Sequence, residues 1–139
     1  MIAYPAIFSP DEGDTVNVEF PDLPGCLTYG DDRDHARLMA REALSGYLAS
    51  LLDRDLEIPG PSHRTGPDVE MIEAESSVSF ALRLRQERKR QGLTLTEVAD
   101  RLGVKYQVYQ RLEDPDRSNP TLKTIAKLEE VLGTKLLAV

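Results

Sequence analysis

The stretch Leu93-Thr94-Leu95-Thr96-Glu97-Val98-Ala99-Asp100-Arg101-Leu102-Gly103-Val104 reads as a short helix closed by a tight turn. Val98, Ala99 and Leu102 recur at helical spacing on one face, and the small Ala99 lets a second helix approach. Gly103 relieves the backbone at the turn, where a positive φ is expected. A second short helix is predicted over 105–113, with Val108, Tyr109 and Leu112 inward and Lys105, Tyr106, Gln107, Gln110 and Arg111 outward. Two short helices joined by a glycine-marked turn form a helix-turn-helix arrangement. Upstream, a helix is predicted over about 78–91, with Ser76 or Ser77 as its cap and Gly92 as its stop. Downstream, the loop 114–120 leads to Thr121, which caps a last helix ending at Leu132 before Gly133.

The first half has a different period. Residues 2–8 are rich in β-branched and aromatic side chains, and Pro5 suggests a sheet edge or a bulge. Pro10-Asp11-Glu12-Gly13-Asp14 is turn chemistry, so a hairpin is expected, and Val16, Val18 and Phe20 then alternate onto one face. Residues 21–25 break that strand, and 26–30 form a short third one. Asp31 or Asp32 caps a long helix, with Asp34 in its first turn. Ala36, Met39, Ala40, Ala43, Leu44, Tyr47, Leu48, Leu51 and Leu52 make the apolar stripe that covers the sheet. A proline-rich loop over 56–67 precedes a fourth strand carrying Val69, Met71 and Glu73. The expected boundary lies between two domains, 1–75 and 76–139, with no internal repeat in either.

The chain has 139 residues, 40% of them hydrophobic and 29% charged, a globular rather than a disordered composition. Its apolar runs are too short to span a bilayer, and the first ten residues lack the basic start and apolar stretch of a signal peptide, which points to a cytoplasmic protein without a membrane partner. The single cysteine, Cys26, excludes an internal disulfide and a thiolate metal site. With only His35 and His63, a histidine-built zinc enzyme is unexpected as well, and no cofactor is implied. Charge is distributed unevenly. Residues 1–75 hold 5 basic and 16 acidic side chains, a net of −11, whereas residues 76–139 hold 12 and 8, a net of +4. A basic half favours phosphate, and an acidic half repels it while attracting a basic protein.

The helical half resembles the lambda-repressor-like (Xre) helix-turn-helix family across 84–133, through Gly92-Leu93-Thr94, Glu97-Val98-Ala99, Leu102-Gly103-Val104, Arg111-Leu112-Glu113 and Asn119-Pro120-Thr121-Leu122. The resemblance implies an all-α domain whose third helix enters the major groove of double-stranded operator DNA. By position the base readers would be Tyr106, Gln107 and Arg111 with Gln110 beside them, while Lys105 touches phosphate. It also implies a structural ion pair between Arg88 and Glu113. The chain has Leu95 where the family commonly has glutamine. One such unit reads few base pairs, so a homodimer or homotetramer is expected. The tail 134–139 either pairs with its symmetry mate or packs on its own domain.

The acidic half resembles the antitoxins of the HicB family, partners of HicA messenger-RNA-cleaving toxins. The resemblance rests on Tyr4-Pro5-Ala6, Asp11-Glu12-Gly13, Phe20-Pro21-Asp22-Leu23-Pro24-Gly25-Cys26, Thr28, Gly30-Asp31, Glu42-Ala43-Leu44 and Ile58-Pro59 with Pro61-Ser62. It implies a truncated ribonuclease-H-like β-β-β-α-β domain, α+β overall, that binds a HicA-like mRNA interferase toxin while the second domain represses the shared operon. Toxin contacts are then expected at exposed residues near the first hairpin and the 21–25 loop: Tyr4, Asp11, Glu12, Asp22 and Leu23. The alternative is a stand-alone repressor with an N-terminal domain that senses a ligand or another protein. A magnesium-dependent nuclease would need Asp11, Glu12, Glu19 and Asp22 to converge, but two of these lie in a turn and Glu19 faces away from the apolar side. No catalytic residue is assigned.

Overall fold

The alternating segments of the first half form β1 (Ala3–Pro10), β2 (Val16–Glu19), β3 (Leu27–Gly30) and β4 (Val69–Glu73), and α1 (Arg33–Asp53) connects the last two. In the computed structural model, which describes residues 2–137, the strands make one antiparallel sheet of order β3-β2-β1-β4. The chain divides into a unit Ile2–Glu75 and a second unit beginning at Ser76. The class is α+β.

β1 is an internal strand, not the edge strand or bulge suggested by Pro5. The reason lies in the direction of the missing donor. The Phe8 N–H points to the β4 side, donating to the Asp68 carbonyl at 2.8 Å. Since successive N–H groups alternate, the position of Pro5 faces the β2 side, where the ladder has already ended at Ile7–Glu19. The proline therefore removes no ladder bond. The Asp11 N–H and the Thr15 carbonyl close the β1–β2 hairpin at 2.8 Å, with Gly13 at φ 62°.

The inward face of the sheet carries Tyr4, Ala6, Phe8, Val18 and Ile72, all buried. On β4 the inward residue is Ile72 and not Met71, which stands 55% exposed on the opposite face. α1 covers the inward face with Ala36, Ala40, Leu44, Leu48, Leu51 and Leu52. Met39, Ala43 and Tyr47 flank this stripe half-buried, and the buried Ser45 accepts the Glu75 N–H at 2.9 Å. Asp32, not Asp31, caps the helix, accepting the His35 N–H at 2.8 Å. Gly30 is required where β3 meets α1, because a Cβ there would lie 2.2 Å from the Ala36 nitrogen. Arg33 (2.6 Å) and Arg37 (2.9 Å) grip the Glu70 carboxylate, tying the start of α1 to β4. The hydrogen bond from Arg37, followed by that from Arg33, holds this carboxyl below the usual glutamate range although burial opposes it.

The second unit contains α2 (Ser76–Arg90), α3 (Leu95–Leu102), α4 (Tyr106–Leu112) and α5 (Leu122–Leu132). Its core joins Leu84, Val98, Ala99, Leu102, Tyr109, Ile125, Leu128 and Leu132. Each large apolar side chain buried here contributes about 1.5–3 kcal/mol, more than any single cap, so packing holds the unit together while caps set its helix ends. At α3 the cap is reciprocal: Thr94 accepts the Glu97 N–H, and Glu97 accepts the Thr94 N–H, both at 3.1 Å. Gly103 ends α3 at φ 73°, and Gly133 ends α5 at φ 68°. Thr121 caps α5. The described part of the tail packs on its own unit. Leu136 is buried in the core, its N–H donates to Glu129 at 2.8 Å, and Arg83 donates to the Lys135 carbonyl at 2.7 Å. Ala138 and Val139 lie outside the described residues. Among the described residues no helix is long and apolar enough to cross a membrane.

Candidate functional site

α4 has seven residues and no side-chain cap, too little to hold itself in water. Its placement comes from the buried end. Tyr109 is fully buried, and its hydroxyl donates to the Glu113 carboxylate. Burial, with the Glu113 charge beside it, pushes the Tyr109 hydroxyl far above its ordinary pKa, so it remains a donor. The same carboxylate accepts from Arg88 Nε at 2.7 Å and Nη2 at 3.0 Å, while Nη1 donates to the Leu93 carbonyl at 2.9 Å. The Arg88 and Glu113 side chains are 11% and 8% exposed. A bidentate pair with its donors used is the condition under which buried charges hold geometry. It fixes the end of α4 to α2 and to the segment entering α3.

With that face fixed, Lys105, Tyr106, Gln107, Gln110 and Arg111 are all exposed. So is Val108, at 46%, contrary to its inward assignment from sequence. Tyr109 and Leu112, three positions apart, already fill the inward stripe, and Val108 sits about 100° around the helix from Tyr109. Its apolar character was the misleading signal. Lys105, at the N-cap position, makes no capping hydrogen bond. Leu95 packs half-buried against the helical core, which explains an apolar residue where a polar contact was expected. The exposed set offers one guanidinium, two carboxamides, a phenol and a branched apolar side chain on one short helix. This chemistry matches the donor, acceptor and methyl pattern of a DNA major groove.

In the acidic unit the residues of the motif Phe20-Pro21-Asp22-Leu23-Pro24-Gly25-Cys26 mostly turn inward or tie loops down. Tyr4 and Leu23, expected as exposed partner contacts, are 1% and 0% exposed. The Phe20 N–H donates to the Cys26 carbonyl at 3.1 Å, and the Leu23 N–H to the Phe20 carbonyl at 3.0 Å, so the loop folds back and seats Leu23 in the core. Gly25, at φ 83°, supplies the reversal. The Tyr4 hydroxyl donates to the Pro59 carbonyl, and burial, with the Asp22 charge second, pushes its pKa up to about 12. Asp22 accepts the Ser62 N–H at 2.9 Å and its hydroxyl at 3.0 Å. Tyr47 donates to the Pro24 carbonyl at 2.8 Å. The Ile58-Pro59 and Pro61-Ser62 segment is thus the second half of the same fastening.

Asp11 and Glu12 are exposed in the hairpin turn, and Glu19 lies on the outward face. Asp11 and Glu12 sit at one end of the β1–β2 ladder and Asp22 beyond the other, roughly 13 Å or more away at ~3.3 Å per strand residue. Among the described residues these carboxylates do not gather as a metal site. The buried Cys26 thiol faces the Ala43 carbonyl at 3.8 Å, and burial pushes its pKa up to about 11, which removes it as a nucleophile. His35 Nδ1 accepts the Asp31 N–H at 2.9 Å, and His63 is exposed in the proline-rich loop.

Residues 4–80, more than half of the chain, match the family described as HicB-like antitoxin of bacterial toxin–antitoxin systems. The chain belongs to the HicB-like antitoxin family. Residues 84–139 match a helix-turn-helix family, so this is a HicB antitoxin with a helix-turn-helix DNA-binding domain. It is similar to Antitoxin HicB 1 of Photorhabdus laumondii, 32% identical over 135 residues and covering 96% of this chain and 83% of the relative. Antitoxin HicB 2 of the same organism is 32% identical over 133 residues, covering 96% of this chain and 92% of the relative. Among solved structures, a toxin–antitoxin complex from Streptococcus pneumoniae aligns at 22% identity with a TM-score of 0.49, covering 68% of this chain and 91% of that one. That overlap is too loose to add to the assignment.

Proposed function

We propose that this HicB-family antitoxin neutralises a small, basic, HicA-like mRNA interferase through its acidic unit and represses its own operon through α4. The observation that carries the DNA half is the exposed set Lys105, Tyr106, Gln107, Val108, Gln110 and Arg111 on a helix locked from behind by Arg88, Tyr109 and Glu113. Gln107 bonds an adenine edge and Arg111 a guanine edge, while Lys105 neutralises phosphate. Val108 and Tyr106 add apolar contact for thymine methyl groups. A homodimer or homotetramer places two such helices on successive major-groove faces of a two-fold operator.

For the toxin half, the support is family membership together with the net charge of −11 over residues 1–75. An acidic surface competes with RNA for a basic toxin and speeds association by steering. Asp11 and Glu12 contribute to that field from the hairpin turn, whereas Tyr4, Leu23 and Asp22 act by holding the unit in shape. Coupling between the two activities follows when toxin binding changes oligomeric state and with it operator affinity.

The test is co-expression of the intact chain with the product of the adjacent gene. Growth arrest caused by that product alone should be relieved by the antitoxin. A reporter driven by the operon promoter should be repressed. A stand-alone repressor would silence the reporter and leave the arrest untouched.

A further inference from the structure

The face of the sheet opposite α1 carries exposed apolar side chains at its β3 and β4 edges. Leu27 is 65% exposed, Tyr29 61% and Met71 55%, and Ile7 is half-buried between them. The register places Leu27, Glu19 and Ile7 side by side on β3, β2 and β1. At ~4.8 Å between strands this row is about 10 Å wide, with Tyr29 two residues further along β3 and Met71 on β4 opposite Pro5. Leu27 and Tyr29, two residues apart on the edge strand β3, form an exposed apolar pair, with Asn17 and Glu19 of β2 between them and the apolar side chains of β1 and β4. Exposed apolar side chains rimmed by polar ones mark interaction sites, and Tyr is enriched among the anchors of such sites.

The charge around the patch decides between occupants. Glu19 lies within it and Glu73 stands exposed on β4 of the same face, in a unit of net charge −11. A second copy of this unit would set like charges against each other, whereas a basic protein would gain from both the apolar anchors and the acidic rim. We propose that the open face of the sheet, centred on Leu27 and Tyr29, is the docking surface for the basic toxin. The inference rests on the antitoxin reading above, and it moves the contact from the 21–25 loop to the opposite side of the strands.

The experiment measures binding of the intact antitoxin to the purified basic product of the adjacent gene, held catalytically inactive. Leu27→Asp and Tyr29→Asp should each raise Kd at least tenfold, with thermal melts close to wild type. Met71→Ser, a milder change at the other side of the face, should raise it about threefold and serves if a β3 variant misfolds. Leu38→Asp, at an equally exposed leucine on the outward side of α1, should leave Kd unchanged. Unchanged Kd in folded Leu27, Tyr29 and Met71 variants overturns the docking surface while leaving the antitoxin reading intact. Absence of any complex with the wild-type chain overturns that reading and this inference with it. Loss of self-association in Leu27→Asp with toxin binding retained makes the face a contact between copies and also overturns it.

Discussion

The loop 20–26 of the acidic unit and helix α4 of the helical unit carry the residues most characteristic of each half, and they direct them oppositely. In the loop, Phe20, Leu23 and Cys26 fill the core, while Asp22 and Pro24 accept hydrogen bonds from Ser62 and Tyr47. On α4, Tyr109 alone is fully buried, and Tyr106, Gln107, Val108, Gln110 and Arg111 stand in solvent. A distinctive motif therefore marks architecture in one unit and an exposed polar face, the one proposed to read DNA, in the other. The difference arises from local demands. A loop crossing the end of a small sheet must satisfy its own backbone and cover the core. A short helix such as α4 delegates its anchoring to a few residues and leaves the rest exposed.

Perturbing the anchors should expose this contrast. Glu113→Ala leaves Arg88 buried without its carboxylate and should destabilise the helical unit by about 3–5 kcal/mol, measured by urea unfolding. It should abolish operator binding without touching any base contact. In the acidic unit, Leu23→Ala should cost about 2–5 kcal/mol of stability through the cavity it leaves. Toxin affinity of the fraction that remains folded should be unchanged. Asp22→Ala removes both hydrogen bonds to Ser62 at an exposed site and should cost roughly 1 kcal/mol, with hydrogen exchange rising first in the 56–67 loop. Val108→Ala removes two methyl groups from the exposed face and should weaken operator binding no more than about fivefold. Replacing the contacted thymine by uracil should erase that difference.

Much of the architecture was legible in the sequence because its signals are local. Alternation at Val16, Val18 and Phe20, the cap at Thr121 and the glycines at 103 and 133 each act on their own segment. What escaped depended on partners distant in sequence or on elements too short to fix their own phase. Pro5 suggested an edge because its tolerance in an internal strand depends on where β2 stops pairing. The fourth strand was legible at Val69, Met71 and Glu73, but its inward residue, Ile72, was not singled out, because a five-residue strand carries too few alternations to fix its phase. Tyr4 was placed outside although its hydroxyl meets Pro59, 55 residues away. Val108 was placed inside by hydropathy alone, where the geometry of a seven-residue helix decides.

The most direct test of two separable faces is one strain carrying the toxin gene, the operon-promoter reporter and the Gln107→Ala/Arg111→Ala antitoxin. Two lost base contacts at about 1–3 kcal/mol each should release the reporter almost fully, while growth stays protected from the toxin. Release of the reporter together with growth arrest would contradict the account, since it would mean that α4 serves both partners.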